Sequence, residues 1–156
     1  MATKYISSIM LLMLLCIVLI SCNKEDPLPG NITNISQNGL LKSHNMGQNC
    51  MRCHVEGDRG KGWFNVAGTV FDSLGVNTFP NATIKLYTGP NGTGIVKYTI
   101  EVDANGNFYT TEEIDLTIGL YASVEGNKIK NYMGEQLMSG KCNNCHNLQS
   151  NRIWVR

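Results

Sequence analysis

The 156-residue sequence has few charged side chains and very few histidines. Charged residues make up 16% of the chain, with 13 basic against 12 acidic residues and a formal net charge of +1. Proteins that bind nucleic acid neutralise phosphates with clustered Lys and Arg, so this balance argues against a nucleic-acid partner. Only three histidines are present, which limits any site that depends on imidazole ligands.

The chain also lacks a hydrophobic run that would make a comfortable transmembrane helix. Its longest run extends from Ile9 to Ile20, after a single Lys, and is followed by Ser21 and Cys22. A run of this length fits the h-region of a secretory signal better than a membrane span. We therefore expect residues 1–21 to be a signal peptide and the protein to be exported.

The end of this signal, LISC, resembles the signal of bacterial lipoproteins, and NKEDP directly after it resembles the surface-export signal of Bacteroidota lipoproteins. The resemblance implies that Cys22 is lipidated and anchors the protein to the outer membrane, on the cell surface if the second signal holds. An ordinary signal peptide, an anchor helix with an incidental Cys, and a generic charged spacer are the alternatives. Residues 22–43 contain Pro, Gly and Asn without apolar periodicity, which predicts a flexible tether.

Helical periodicity is absent as well, whereas turn residues, including 16 glycines, are abundant. From Trp63 onward, short segments alternate between apolar and polar residues, as half-buried strands do. The predicted strands are VAGTVF (66–71), ATIKLYT (82–88), IVKYTIEV (95–102), NFYT, IDLTI, LYASVE and KIKNYM (128–133). Asn105-Gly106 predicts a tight hairpin turn, because both residues tolerate positive φ. We expect a mainly β fold: an antiparallel Greek-key-like sandwich of about seven strands over residues 63–130.

The stretch from FNVAGTVFDSLG through VDANGNFYT to GLYASVEG resembles the carboxypeptidase-regulatory or transthyretin-like β-sandwich. This resemblance covers about half of the chain that follows the signal peptide. It implies a compact scaffold that is found in many exported proteins and has no activity of its own.

Four cysteines remain after the signal peptide and the lipidation site, and all four lie in two copies of one pentapeptide pattern. CMRCH begins at Cys50, and CNNCH begins at Cys142. Cys-x-x-Cys-His is the attachment signature of c-type haem: two Cys on one helical turn bond the vinyl groups, and the adjacent His lies beneath the iron. The predicted cofactors are two haem c groups. Their attachment and proximal iron ligands would be Cys50, Cys53 and His54 for the first, and Cys142, Cys145 and His146 for the second.

Residues 44–62 and 131–156 are therefore predicted to be two short haem-binding segments with helical turns, one on each side of the sandwich. Export agrees with this prediction, because c-type haem is attached after export. Two alternatives stay open. Two Cys-x-x-Cys pairs can form a tetrahedral zinc site, although such a site gives the adjacent histidines no role. Disulfides are common in exported proteins, although no βαβ pattern of a thioredoxin-like protein accompanies these pairs.

Each haem iron can take a sixth ligand, and the chain offers few candidates. His44 is the only other histidine, so at most one haem can have two His ligands, and His44 is a candidate distal ligand to either haem. Met133 and Met138 precede the second motif and are weaker candidates, because a single Met more often serves packing. An iron with five ligands, open to a small molecule, is the remaining arrangement.

The two motifs and the signal resemble those of a dihaem c-type cytochrome lipoprotein. This implies an electron carrier rather than an enzyme, which exchanges single electrons with redox partner proteins or an external acceptor. Its contact with the membrane would be the lipid anchor. Two other classes stay open: a haem enzyme or sensor with an open iron site, and a surface binding module stapled by zinc or disulfides. The few histidines and the lack of an evident distal Arg–His pair argue against a peroxidase.

Overall fold

The computed structural model describes residues 30–148 and 151–156, which form two β-sheets. The predicted signal peptide, the predicted lipidation site Cys22 and the tether up to residue 29 lie outside the described residues. The described strands are β1 (Val66–Phe71), β2 (Thr83–Tyr87), β3 (Val96–Glu101), β4 (Asn107–Thr110), β5 (Tyr121–Glu125), β6 (Lys130–Tyr132) and β7 (Ile153–Trp154). The prediction of a mainly β sandwich with about seven strands is confirmed. In this part of the chain, no helix has the length and apolar character needed to cross a membrane.

The strand order differs from the order of the sequence in both sheets. One sheet has the order β4-β1-β7 and the other has the order β3-β2-β5-β6. The chain passes between the sheets after β1, β3, β4 and β6, as in a Greek-key sandwich. Every pair is antiparallel except β1 with β7, which is parallel. A parallel pair requires a crossover connection. Here the chain forms strands of the other sheet between β1 and β7, and these strands are part of the connection. The predicted antiparallel pairing is therefore wrong at this edge.

The segment IDLTI, predicted to be a strand, instead makes a 3-10 turn over Leu116–Ile118. The carboxylate of Asp115 caps this turn by accepting a hydrogen bond of 2.9 Å from the amide of Thr117. Gly119 ends the turn with a φ of 73°, a left-handed conformation that Gly adopts without steric cost. Local capping outweighs the apolar alternation of this segment.

The turn predicted at Asn105-Gly106 is present, although the strands that it joins lie in different sheets. The carboxylate of Asp103 accepts hydrogen bonds of 3.0 Å from the amides of Asn105 and Asn107, and Gly106 has a φ of 83°. This turn fixes Asn107, the first residue of β4. The side chain of Asn107 in turn bonds the backbone of His44.

Strand β1 is buried on both of its faces. Val66 and Val70 belong to the main core, which also contains Val155 from the end of the chain. Because side chains alternate along a strand, Ala67 points away from that core. It belongs to a second cluster with Phe64 and Tyr109, and Cys50 and Met51 pack against that cluster. The first pentapeptide therefore covers the outer face of the three-stranded sheet.

The second pentapeptide lies along the free edge of the same strand. Ala67 forms a parallel bridge with Lys141, and further along β1 Val70 pairs with Ile153. Residues 142–148, which contain CNNCH, leave the sheet between these two points. Both motifs are therefore positioned by β1.

Candidate haem sites

The first motif forms one tight helical turn. Residues Cys50–Arg52 are a 3-10 helix, and the side chain of Asn49 caps its start. The amide of His54 donates a hydrogen bond of 3.1 Å to the carbonyl of Cys50, so the turn continues as far as the histidine. Cys50, Cys53 and His54 thus share one turn, as haem attachment requires.

The ring of His54 is held by a hydrogen bond and by aromatic stacking. Its Nδ1 lies 3.1 Å from the carbonyl oxygen of Gly62. Its face stacks on Phe64 with ring centroids 4.2 Å apart, and Phe64 stacks on Tyr109 of β4 at 4.8 Å. A carbonyl oxygen only accepts, so this contact assigns the proton to Nδ1 and leaves the lone pair of Nε2 for a metal.

The loop that follows the first motif folds back onto the histidine. The amide of Gly60 donates to the carbonyl of Cys53, and the amide of Phe64 donates to the carbonyl of His54, each at 3.0 Å. A Cβ on Gly60 would lie 2.7 Å from Nδ1 of His54, which is too close for any other residue without a shift. Glycine at this position lets the loop wrap around the ring.

The second motif repeats this arrangement with a different loop. Helix α1 (Cys142–Cys145) is a single turn, and the amide of His146 donates to the carbonyl of Cys142 at 2.9 Å. Nδ1 of His146 lies 2.5 Å from the carbonyl oxygen of Asn151, whose own side chain donates to the carbonyl of Cys145 at 2.6 Å. Nε2 is again left with its lone pair. Two loops of unrelated sequence therefore give the two histidines the same tautomer.

No disulfide bond joins the four cysteines of the motifs. Cys142 packs against the main core, and burial raises the pKa of its thiol to about 12, with the nearby Cys50 adding to the shift. Burial also raises the pKa of the Cys50 thiol. A haem thioether is neutral and suits such surroundings, whereas zinc binds charged thiolates. Across residues 30–148 and 151–156, no group of three or more His, Cys, Asp or Glu side chains is arranged to hold a metal ion.

A close fit to β1 positions the second motif. A Cβ on Gly68 would lie 2.5 Å from Cζ of Phe108 and 2.9 Å from Cβ of Cys142, so glycine is needed for this approach. The buried side chain of Asn143 accepts a hydrogen bond of 3.0 Å from the amide of Thr69. Asn143 thereby replaces the missing strand partner in the gap before β7.

The third histidine, His44, lies beside the first motif. Its ring centroid is 6.0 Å from that of His54, with 36° between the ring planes. With a metal–nitrogen bond of about 2 Å on each side, two imidazoles that share one ion from opposite sides have centroids about 6 Å apart. The observed separation fits two ligands of one iron. The structure thus brings His44 to the first site and not to the second.

The second motif borders an apolar cavity of about 910 Å³. Its lining includes Cys142, Cys145 and His146, and also both predicted methionines, Met133 and Met138. Ligand cavities in proteins are mostly apolar and measure about 300–1,000 Å³, so this space lies in the size range of a ligand cavity. Met133 is half-buried and packs against the core, whereas Met138 is 87% exposed. Either methionine is thus placed at the second site.

Several residues that shape these sites could not be predicted from sequence patterns. Phe64 stacks on His54, Asn143 fills the sheet edge, and Asn151 orients His146. Of these residues, only Asn143 lies inside a motif, which is the one signal that the sequence contains. Asn144 lies inside the same motif but does not make the same contacts. Comparison of the chain with protein-family models, curated proteins and solved structures found no match.

Proposed function

We propose that this protein is a dihaem cytochrome c that is anchored to the outer membrane through lipid at Cys22 and transfers single electrons through two covalently attached haems. Haem supplies a one-electron Fe(III)/Fe(II) couple, and the surrounding protein sets its potential and access. One observation carries the proposal: both Cys-x-x-Cys-His segments form a turn whose histidine holds Nδ1 against a backbone carbonyl. A chance repeat of the spacing would not require that hydrogen bond.

The residues of each motif would have separate roles. The two cysteines hold the porphyrin through neutral thioether bonds, and the histidine binds the iron through Nε2. The carbonyls of Gly62 and Asn151 fix the orientation of the two imidazoles and make them more basic ligands. At the first site, the stack on Phe64 limits rotation of the His54 ring.

The distal sides of the two sites would differ. His44 would complete the first iron, and its ring centroid 6.0 Å from that of His54 supports this role. At the second site, Met133 and Met138 line the cavity next to His146. A thioether ligand or an open position at that iron would follow from this lining.

Contact between the two motifs supports electron exchange within one chain. The side chain of Asn143 in the second motif donates a hydrogen bond of 2.8 Å to the carbonyl of Gln48, two residues before Cys50. Ala67 contacts the first motif on one face of β1 and bridges to Lys141 at the edge. The carrier would take one electron from a reduced partner protein and give one to an oxidised partner or external acceptor.

The direct test is the intact mass and visible spectrum of the mature protein after expression with haem-maturation machinery. We expect two haem adducts on the wild-type chain, because each motif provides a complete set of attachment groups. The double variants C50A/C53A and C142A/C145A should each keep one. Arg52→Ala and Asn144→Ala change exposed residues inside the motifs, and as controls they should keep both haems.

The result that would overturn the proposal is a wild-type protein without a Soret band. If the purified protein contains zinc or disulfides instead of haem, as measured by mass spectrometry, this would favour a surface binding module stapled by zinc or disulfides. The same two measurements therefore separate the electron carrier from that class.

The cavity beside His146 favours one second candidate, a haem enzyme or sensor with an open iron. Within the described residues the cavity lining contains no second histidine, so the distal position there has only weak protein ligands. Carbon monoxide added to the C50A/C53A variant distinguishes the two functions. Binding to the resting reduced protein would favour a sensor or enzyme, whereas no binding would favour a closed electron-transfer site.

A further inference from the structure

A buried polar network lies between the two haem motifs. Its centre consists of three side chains that are at most 2% exposed: Thr69, Asn107 and Asn143. Polar groups at such positions need hydrogen-bond partners, because an unpaired buried group destabilises the fold. The partners of these three side chains connect elements that belong to different haem sites.

The network begins in the second motif. The carboxamide of Asn143 accepts a hydrogen bond of 3.0 Å from the amide of Thr69. It donates to the hydroxyl of Thr69 at 3.0 Å and to the carbonyl of Gln48 at 2.8 Å. Gln48 precedes the first cysteine of the first motif, so the second motif contacts the approach to the first.

From Thr69 the network continues to the candidate distal ligand. The hydroxyl of Thr69 accepts from the amide of Gly47 at 2.9 Å and donates to Oδ1 of Asn107 at 2.6 Å. The side-chain nitrogen of Asn107 donates to the hydroxyl of Ser43 at 2.9 Å and to the carbonyl of His44 at 3.1 Å. Both ends of the segment 43–48 are therefore bonded to one network.

These hydrogen bonds restrain that segment, together with a hydrogen bond of 2.8 Å from the side chain of Asn105 to the carbonyl of Ser43. His44 and Met46 are exposed, so burial of their side chains contributes little to holding the segment. Buried networks of this kind act as a unit, because the loss of one member leaves its partners unpaired in a medium of low dielectric constant. A change at Asn143 should therefore reach the backbone of His44.

We infer that Asn143, although it belongs to the second motif, is a positioning residue for the first haem site. Through Thr69 and Asn107 it fixes the segment 43–48, which presents His44 to the first iron. The inference rests on the proposed function, and it adds that the two sites are coupled through one set of hydrogen bonds.

The test compares Asn143→Ala with Asn144→Ala in the full dihaem protein, because the neighbouring asparagine is exposed and lies in the same turn. The signal of the first haem is identified as the one that C50A/C53A lacks. We expect N143A to reduce the low-spin two-histidine signal of the first haem. The amide of Gly47 should exchange with solvent about tenfold faster, as expected for a weakened hydrogen bond. Asn144→Ala should change neither quantity.

A second pair of variants keeps the test independent of the folding of N143A. Thr69→Val preserves the shape of the side chain and removes the hydroxyl, whereas Thr69→Ser preserves the hydroxyl. We expect the valine variant to lose first-haem signal as N143A does, and the serine variant to retain it. Thermal unfolding of all four proteins checks that the comparison is made on folded chains.

Two outcomes would overturn the inference. Either N143A and T69V leave the first haem unchanged in a wild-type background that carries two haems, or N143A alters only the second haem. In both cases the proposed function survives. A wild-type protein without haem would instead refute the proposed function, and the inference would fall with it.

Discussion

Replacing Gly68 by Ala should disturb the second haem site and leave the first intact. The added Cβ would lie 2.5 Å from Cζ of Phe108 and 2.9 Å from Cβ of Cys142, closer than side chains pack. Phe108 is only 1% exposed and has little room to move, so the turn of the second motif must shift. The backbone of Gly68 is not in the left-handed region, so the whole effect is steric.

Overpacking of this kind costs about 1–3 kcal/mol of folding free energy. For a domain of this size, we expect a decrease in Tm of about 3–15 °C. Haem occupancy should fall at Cys142 and Cys145, because the displaced turn presents these thiols poorly. The first motif covers the other face of β1 and should keep its haem. Differential scanning calorimetry and intact mass measure the two effects.

Gly134→Ala is the matched control, because a Cβ on Gly134 would meet no atom within 4 Å. Gly134 lies in the same C-terminal segment and lines the same cavity as the second motif. The prediction would be wrong if G68A unfolds at the same temperature as G134A and carries two haems. That result would mean that Cys142 is not packed against β1.

Two further predictions concern the distal ligand and an ion pair. His44→Ala should leave both haems attached but allow carbon monoxide to bind the first reduced haem, because the iron loses an imidazole. An unchanged carbon monoxide spectrum in the C142A/C145A background, which keeps only the first haem, would contradict this prediction. Burial raises the pKa of Glu125, but hydrogen bonds from Lys130 and Lys85 outweigh burial and lower it below 4.5. The stabilisation by Glu125, about 0.2–1 kcal/mol for such a pair, is therefore present at neutral pH and lost as the pH falls through that lowered pKa. Unfolding of E125Q and wild type across acid pH checks this: the difference should shrink, and a constant difference would count against it.

Elements of the fold that follow from local sequence patterns are predictable from the sequence. The segment 66–71 was predicted as a strand with the bounds that β1 has, and β3 lies within the predicted segment 95–102. In β3, Tyr98 and Ile100 pack toward the core at alternate positions, whereas β1 is a short apolar run that ends at a turn. The motif turns were also predictable, since a spacing of three positions between two cysteines already places them on one helical turn.

The features that join the motifs to the sandwich depend on packing instead. β7 has only two residues, Ile153–Trp154, which carry no periodicity, and it exists because Val70 and Phe71 offer a free edge. Asn143 and Asn144 are identical in the sequence, yet one is 2% exposed and the other is exposed to solvent. Which of them faces β1 is decided only when the turn docks on the sheet.

The two proposed haem sites differ most on their distal sides, because both proximal histidines are held in the same way. His54 and His146 follow a one-turn motif, and both hold Nδ1 against a carbonyl oxygen. The ring of His44 lies beside that of His54 at the first site, whereas the second site has an apolar cavity lined by Met133 and Met138. Imidazole favours ferric iron relative to a thioether ligand, and apolar surroundings disfavour the extra charge of the ferric state. We therefore expect the second haem to have the higher potential, so that an electron entering at the first site moves to the second. The one additional histidine, His44, would therefore be enough to set the direction of electron transfer between the two haems.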